Sequence, residues 1–215
     1  KCTLDELAIY CLRDVEVLEL FVLQYLRYIN DNELGGFRNT LAGQAMAAFR
    51  TRFMSNAPYI HTNEKALQLE RDGYHGGRVE CWKIGKQESQ RYYQLDVNSM
   101  YPYSMIADEL PVKLVGYGEG VRLNFLPIRM KHYYVIAECE IQTDEPVYAV
   151  LHNGKLVFPT GRFKTVLYHP ELQYAYEHNH ILSIKRCAVY EKGELFTGYV
   201  SHFYAAKQAY TEAGH

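Results

Sequence analysis

Apolar residues fall three and four apart at Leu4, Leu7, Cys11, Val15, Leu18, Val22, Tyr25 and Ile29, the spacing of one face of an α-helix. Thr3-Leu4-Asp5-Glu6 puts a capping box in front of that stripe, so two orphan amides of the first turn find side-chain acceptors. A long amphipathic helix is predicted, stopping at Asn30-Asp31-Asn32. Gly35-Gly36 opens a loop, and a shorter helix follows over 40 to about 53, with Ala42, Met46, Phe49 and Phe53 on one face. A third helical stretch runs over about 63–72. Gly73-Tyr74-His75-Gly76-Gly77 breaks it, since three glycines in five residues leave room for positive φ and for close approach of main chain to another group.

Beyond Arg78 the period becomes two. Val79 and Cys81, then Tyr93, Leu95 and Val97, alternate with polar neighbours and predict two antiparallel strands joined by a polar connection. Asn98-Ser99, with Pro102 just behind, marks a helix start. Val135, Ala137, Cys139 and Ile141 alternate against acidic neighbours. The runs 147–151 and 155–158 flank His152-Asn153-Gly154, a strong hairpin signal. A strand near 163–167, a short helix opened by Pro170, a strand near 181–190 and a helix from about 195 complete an α+β pattern without internal repeats.

The size, 215 residues and 25.0 kDa, allows one or two domains at roughly 150 residues each. Mean hydropathy is -0.30, and no run reaches the roughly 18 to 20 apolar residues of a membrane span, so a soluble protein with no membrane partner is expected. Five widely spaced cysteines, with no Cys-x-x-Cys pair, fit reduced thiols in a cytosol-like compartment. Lys1 in place of an initiating methionine, and no signal segment, read as a piece of something longer.

The net charge of -2 conceals a strong unevenness: -4 over residues 1–34, +4 over 35–95, -4 over 96–145 and +2 over 146–215. A basic belt thus lies between two acidic stretches. Twenty tyrosines suit half-wet faces that meet nucleic acid or protein.

Chemistry concentrates at Tyr93-Gln94-Leu95-Asp96-Val97-Asn98-Ser99-Met100-Tyr101-Pro102-Tyr103. An acid at the junction of a strand and a helix has oxygens free for a hard divalent ion, with backbone groups nearby for a triphosphate. Magnesium-dependent phosphoryl transfer commonly uses two acids and two ions, so Asp96 needs a second carboxylate. Asp-x-x-Ser-Met-Tyr-Pro resembles the first palm motif of family B DNA polymerases, and Asn98 resembles the protein-primed branch of phage, plasmid and viral enzymes. The resemblance implies that Asp96 and the Val97 carbonyl bind Mg2+, that Asn98, Ser99 and Met100 line the deoxynucleoside triphosphate site, and that Tyr101 lies under the incoming sugar.

Two further strings fall in the same family's order. Tyr74-His75-Gly76-Gly77-Arg78, about twenty residues before Asp96, resembles the Tyr-x-Gly-Gly motif that joins exonuclease to polymerase and contacts single-stranded template. Glycines admit phosphates to the main chain and an aromatic stacks on a base, which agrees with that role. Tyr10-Cys11-Leu12-Arg13-Asp14 resembles the last exonuclease motif, Tyr-x-x-x-Asp. Its spacing of four puts phenol and carboxylate on one helix face, one to orient water and the other, Asp14, to bind metal.

On this resemblance the fold is the C-terminal helix of an RNase H-like exonuclease domain (1–34), a helical basic linker (35–77), the first part of the palm (78–110), a terminal-protein-region-like α+β insertion (111–190) and a continuation of the palm (191–215). The implied activity is template-directed nucleotidyl transfer in protein-primed replication, with a 3'-5' exonuclease in the parent. Implied partners are DNA primer-template, single-stranded DNA, deoxynucleoside triphosphates and a terminal protein, inside the cytoplasm or a host cell. The family's upstream exonuclease acids, its lysine-bearing fingers helix and its Asp-Thr-Asp are not in this sequence, so the chain alone is expected to be inactive. Two rivals remain: a stand-alone nuclease using Asp14 and Asp96, and a tyrosine-rich binding module. Glu177-His178-Asn179-His180 contains a His-Asn-His string but lacks the spacing of a metal nuclease and reads as a polar helix end.

Overall fold

The computed structural model describes residues 3–54, 57–86 and 91–214 and divides into two compact units, 1–57 with 196–215, and 58–195. Cys2 and residues 87–90, within the expected polar connection, lie outside the described residues.

The first unit is helical. Helix α1 (Leu4–Asp31) begins on the expected capping box: the Thr3 hydroxyl accepts from the Glu6 amide at 3.3 Å, and the Glu6 carboxylate accepts from the Thr3 amide at 2.8 Å. Ile29 is its one buried residue, and it packs with Leu34 and Ala48 beneath Tyr25, Tyr28, Phe53, Tyr199 and Phe203. The apolar stripe from Leu4 to Leu20 is exposed among the described residues.

Helix α2 (Leu41–Ala48) starts at Thr40, whose hydroxyl accepts from Gly43, and runs into a π-helical turn, Phe49–Phe53. Its inner face departs from the expected one: Gln44, Ala47 and Ala48 are buried, while Ala42 and Met46 face solvent. The cause is polar. Gln44 donates to the Leu34 carbonyl and accepts from the Arg38 amide, both at 2.9 Å, so the helix turns that amide inward to satisfy the preceding loop. The π turn changes the helical phase, so Phe49 and Phe53 still face in, against Phe196 and Tyr199 of the C-terminal segment that carries the last helix (Thr197–Glu212).

The second unit is a twisted antiparallel sheet with helices on both faces. Helix α3 (Glu64–Gly73), capped by the Asn63 side chain, precedes the short α4 (Met100–Ile106). Then come β1 (Leu110–Glu119), α5 (Leu126–His132), β2 (Tyr134–Thr143), β3 (Val150–His152), β4 (Lys155–Val157), β5 (Gly161–Leu167), α6 (His169–Glu177) and β6 (Ile181–Gly193); the last helix of the first unit is α7. The sheet order is β1-β6-β2-β5, every pair antiparallel, with β3 and β4 as a separate hairpin. Asn153 and Gly154 both have positive φ, at 50° and 73°, which the tight hairpin turn requires.

Alternation along β2 divides the core into two layers. Val135, Ala137, Cys139 and Ile141 face α5 and α6 with Leu126, Leu167 and Leu172, whereas Tyr134 and Ile136 face α3 with Ala66, Leu69 and Ala188. Cys139 is buried deeply enough that its thiol is pushed up to about 12, and Cys187 is raised by burial too, so both are inert as nucleophiles. Strand β1 and helix α5 were not anticipated: β1 is an edge strand with two register shifts, a proline and two glycines, which blurs its period.

One expectation fails outright. Residues 78–86 and 91–97 carry no strand among the described residues, and Val79, Ile84 and Leu95 are exposed. A strand is defined by its partner, and no described segment pairs with this one. No helix of the described residues is long and apolar enough to cross a membrane.

Candidate active site

Asp96 stands on an exposed, irregular segment instead of a strand end. The helix start is as expected, with an unusual entry: Ser99, the residue before α4, has left-handed backbone at φ 56°, ψ 33°. A non-glycine residue held there costs on the order of 1 to 3 kcal/mol. The reversal brings the Met100 amide to the Val97 carbonyl (3.3 Å) and the Tyr103 amide to the Ser99 carbonyl (2.9 Å). Val97 to Met100 therefore form a tight turn at the start of the helix, with Asp96 immediately before it. Tyr101 is 77% exposed, its ring unpacked.

Tyr10 and Asp14 occupy the same face of α1, both exposed, and Arg13 between them pairs with Glu16 at 3.0 Å. They belong to the first unit and Asp96 to the second. Among the described residues no three acidic, histidine or cysteine side chains converge as a metal cage. Asp96 and the Val97 carbonyl are hard oxygen donors of the type magnesium takes, but two oxygens leave most of an octahedron to water, phosphate or other ligands.

The Tyr-x-Gly-Gly loop is the best-anchored part of the candidate site. Gly73, the last residue of α3, approaches the sheet so closely that a Cβ there would lie 2.7 Å from the Tyr168 ring and 2.9 Å from Val166. Gly76 and Gly77 do the opposite: nothing lies within 4 Å of where their Cβ atoms would be, and neither adopts positive φ. The three glycines thus serve contact at one end of the loop and access at the other. Tyr74 is 83% exposed.

Several side chains fix this loop that no motif announced. Tyr168 donates to the Glu70 carbonyl at 2.8 Å, Tyr190 donates to the Glu70 carboxylate, and His61 Nε2 lies 2.9 Å from the same carboxylate. Arg186 joins Asp72 at the end of α3 to Glu138 on β2. Burial alone would push the Glu138 carboxyl up, but Arg186 and Lys185 hold it below the usual range. Arg186 and Asp72 are 114 positions apart, so only the fold reveals the pair. Arg78 is already engaged: it donates to the Pro146 carbonyl at 2.7 Å, pairs with Glu80 and lies 4.3 Å over the Phe158 ring.

Between the loop, the β3-β4 hairpin and β5 lies a groove of about 650 Å³, lined by Tyr74, Gly76, Gly77, Leu151, Lys164 and Arg71 among others. Its mixed walls and bare glycine edge suit a flexible chain carrying both charge and rings. His180, from the His-Asn-His string, hydrogen-bonds the buried Tyr148 hydroxyl at 2.7 Å, and His178 stacks on Tyr174 at 3.9 Å.

Comparison with known proteins places these observations. The profile of the family "DNA polymerase type B, organellar and viral" matches residues 3–215. A protein of Agaricus bitorquis named "Probable DNA polymerase" is 24% identical over 210 residues, covering 92% of this chain and 26% of its own length. Proteins of the same name from Neurospora intermedia (21% identical, 96% of this chain, 22% of its own length) and Ascobolus immersus (24%, 80% and 14%) are also similar. The chain spans about a quarter or less of the length of these relatives. No solved structure matches it.

Proposed function

Because the chain belongs to the organellar and viral type B DNA polymerases, we propose that it forms the part of a DNA-directed DNA polymerase running from the end of a 3'-5' exonuclease into the palm. What carries this reading is order: Tyr10-x-x-x-Asp14, then Tyr74-x-Gly76-Gly77, then Asp96-x-x-Ser99-Met100-Tyr101-Pro102, all within the matched residues. In the boundaries proposed, 1–34 ends the exonuclease, 35–77 links, 78–110 and 191–215 belong to the palm, and 111–190 is the insertion that receives a terminal protein.

Asp96 and the Val97 carbonyl hold Mg2+, with the second palm acid supplied from outside these 215 residues. When bound, the ion neutralises phosphate charge and lowers the cost of nucleophilic attack at the α-phosphorus. The tight turn at Asn98 and Ser99 presents main chain to the triphosphate. Tyr101, exposed and unpacked, has a face free for the sugar, where its bulk would collide with a 2'-hydroxyl. Tyr74 stacks on a template base while the open edges of Gly76 and Gly77 admit the phosphates. Arg78 supports the loop from below through Pro146 and Phe158, a contribution of position more than of free charge. Tyr10 and Asp14 complete the exonuclease site.

The test uses the full-length polymerase that contains these residues. Asp96→Asn stops incorporation of every nucleotide. Tyr101→Val leaves polymerisation active and raises ribonucleotide incorporation. Normal extension by Asp96→Asn would overturn the metal assignment, and equal loss of ribo- and deoxyribonucleotide use by Tyr101→Val would reduce Tyr101 to a packing residue.

A further inference from the structure

The acidic balance of residues 96–145 hides a local reversal. Between Glu119 and Glu138 there is no carboxylate, while Arg122, Arg129 and Lys131 all fall in that interval. The fold places Arg122 and Arg129 of this run at a second groove, of about 560 Å³, on the β1 edge of the sheet. Its walls are Arg122, Arg129, Phe125 and Tyr133, and its floor is the main chain of the Gly116-Tyr117-Gly118 part of β1. Phe125 is 48% exposed and Tyr133 36%, so both rings turn a face outward.

The two arginines here have no acid of their own among the described residues. Among the described residues neither Arg122 nor Arg129 has a carboxylate partner, and the one side-chain hydrogen bond of Arg129 goes to the weak acceptor Cys187 Sγ at 3.6 Å. One acid, Glu119, lines the groove, and it is held by Lys65 at 2.9 Å and by the Tyr117 hydroxyl, which keeps its carboxyl below the ordinary value. Three other exposed cations of this unit are paired with acids: Lys113 with Glu191, Arg162 with Glu140, Lys185 with Glu138. Two guanidinium groups without a carboxylate partner, beside two half-exposed rings, form the donor set that grips a phosphodiester and stacks its bases.

We propose that this groove is a second binding site for single-stranded DNA, separate from the Tyr-x-Gly-Gly loop and its own groove. Arg122 and Arg129 take consecutive phosphates, and Phe125 or Tyr133 takes a base between them. The site rests on the polymerase reading only in the choice of DNA as the strand.

Fluorescence anisotropy of a labelled twenty-nucleotide oligothymidylate with the 215-residue chain, titrated across salt, provides the test. The double variant Arg122→Gln, Arg129→Gln lowers the slope of log affinity against log salt by about 1.4, the share of two phosphates on a single strand. Phe125→Ala weakens binding at least about fivefold, the lower end of a base-aromatic stack. Arg122 is exposed and has no carboxylate partner among the described residues, so Arg122→Glu alone preserves the fold, and near-ultraviolet circular dichroism verifies it. A 5-iodouracil oligonucleotide, photo-cross-linked and mapped by mass spectrometry, joins the peptide bearing Phe125 and Tyr133. An unchanged salt slope in the double arginine variant, with no cross-link at that peptide, overturns the proposal. Tyr74→Ala keeps the two readings apart: if it abolishes binding while the arginine variants bind normally, this second site falls and the template role of the loop stands.

Discussion

Strand β2 is paired on both edges, by β5 and β6, and packed on both faces, whereas residues 74–86 and 91–97 of the same unit have no ladder partner among the described residues and turn Val79, Ile84 and Leu95 to solvent. Both stretches alternate apolar with polar residues, and both carry β-branched or aromatic side chains suited to a sheet. The difference is supply: β2 has neighbours that satisfy its main chain, and the other has none. Within this unit the packed sheet holds neither the Tyr74-x-Gly76-Gly77 nor the Asp96 string, and the stretch that holds them carries little packing among the described residues. Packing and the candidate site residues lie in different stretches, joined by the short anchored segment around Gly73.

The sharpest way to break this contrast is to empty the core on one side and the exposed stretch on the other. Leu172, fully buried against β2, should cost about 2 to 5 kcal/mol when changed to Ala, through lost burial and the cavity left behind. Leu95→Ala should stay within about 0.5 kcal/mol of the parent, since its side chain is in water already. Urea denaturation of the two variants measures both. Comparable losses would show that Leu95 is packed.

The anchor between the regions comes next. Arg186→Ala leaves Glu138 and Asp72 without their shared cation and should cost about 1.5 to 3 kcal/mol, the range for hydrogen bonds to charged groups. Its pH signature follows from Glu138, whose carboxyl is held below its unfolded value. That contribution is fully present above the ordinary glutamate range and is lost as pH falls through the depressed folded value. Denaturation midpoints measured from pH 7 down to pH 3 should therefore fall more steeply in the parent than in Arg186→Ala.

Gly73→Ala tests the same joint sterically. Its new methyl meets the Tyr168 ring and Val166, both fixed by the sheet, so the expected cost is about 1 to 3 kcal/mol together with a displaced Tyr74. Gly77→Ala, with open space around it, should leave stability within about 0.5 kcal/mol. Thermal unfolding compares the pair, and equal effects would remove the distinction between the contact end and the open end of the loop.

Much of this architecture could be read from residue order. The Thr3-Glu6 capping box, the Asn153-Gly154 hairpin and the alternation of Val135 to Ile141 are local rules, and each stands in the structure. What was illegible depended on distant partners. Alternation at Val79 and Leu95 states which way side chains point but not whether a neighbouring strand exists. The inward turn of Gln44 has no local signal, because its need for the Leu34 carbonyl appears only after the loop folds back. The candidate site divides the same way: the residues of Asp96-x-x-Ser99-Met100-Tyr101 were visible as a string, while Glu70, Asp72, Glu138 and Arg186, which hold the neighbouring loop, come together only across the sheet.

The smallest effect expected lies at the start of β2 itself. His169 Nδ1 accepts a hydrogen bond from the Val135 amide at 3.2 Å, and its ring stacks on Tyr134 with centroids 5.0 Å apart. An acceptor nitrogen must be unprotonated, and burial, reinforced by Lys192 and opposed by Asp108, pulls the imidazole below its ordinary value. A group whose folded value lies below its unfolded one contributes no pH dependence well above that unfolded value, roughly 6.5 for histidine. As pH falls through it, the unfolded chain takes up the proton first and stability declines. His169→Gln keeps an oxygen acceptor for Val135 but cannot titrate. Between pH 7.5 and 5 its denaturation midpoint should fall less than that of the parent, the remaining slope coming from His202, which burial also depresses. Identical slopes for the two proteins would mean that the imidazole accepts its proton without loss and that β2 does not depend on the Val135 bond.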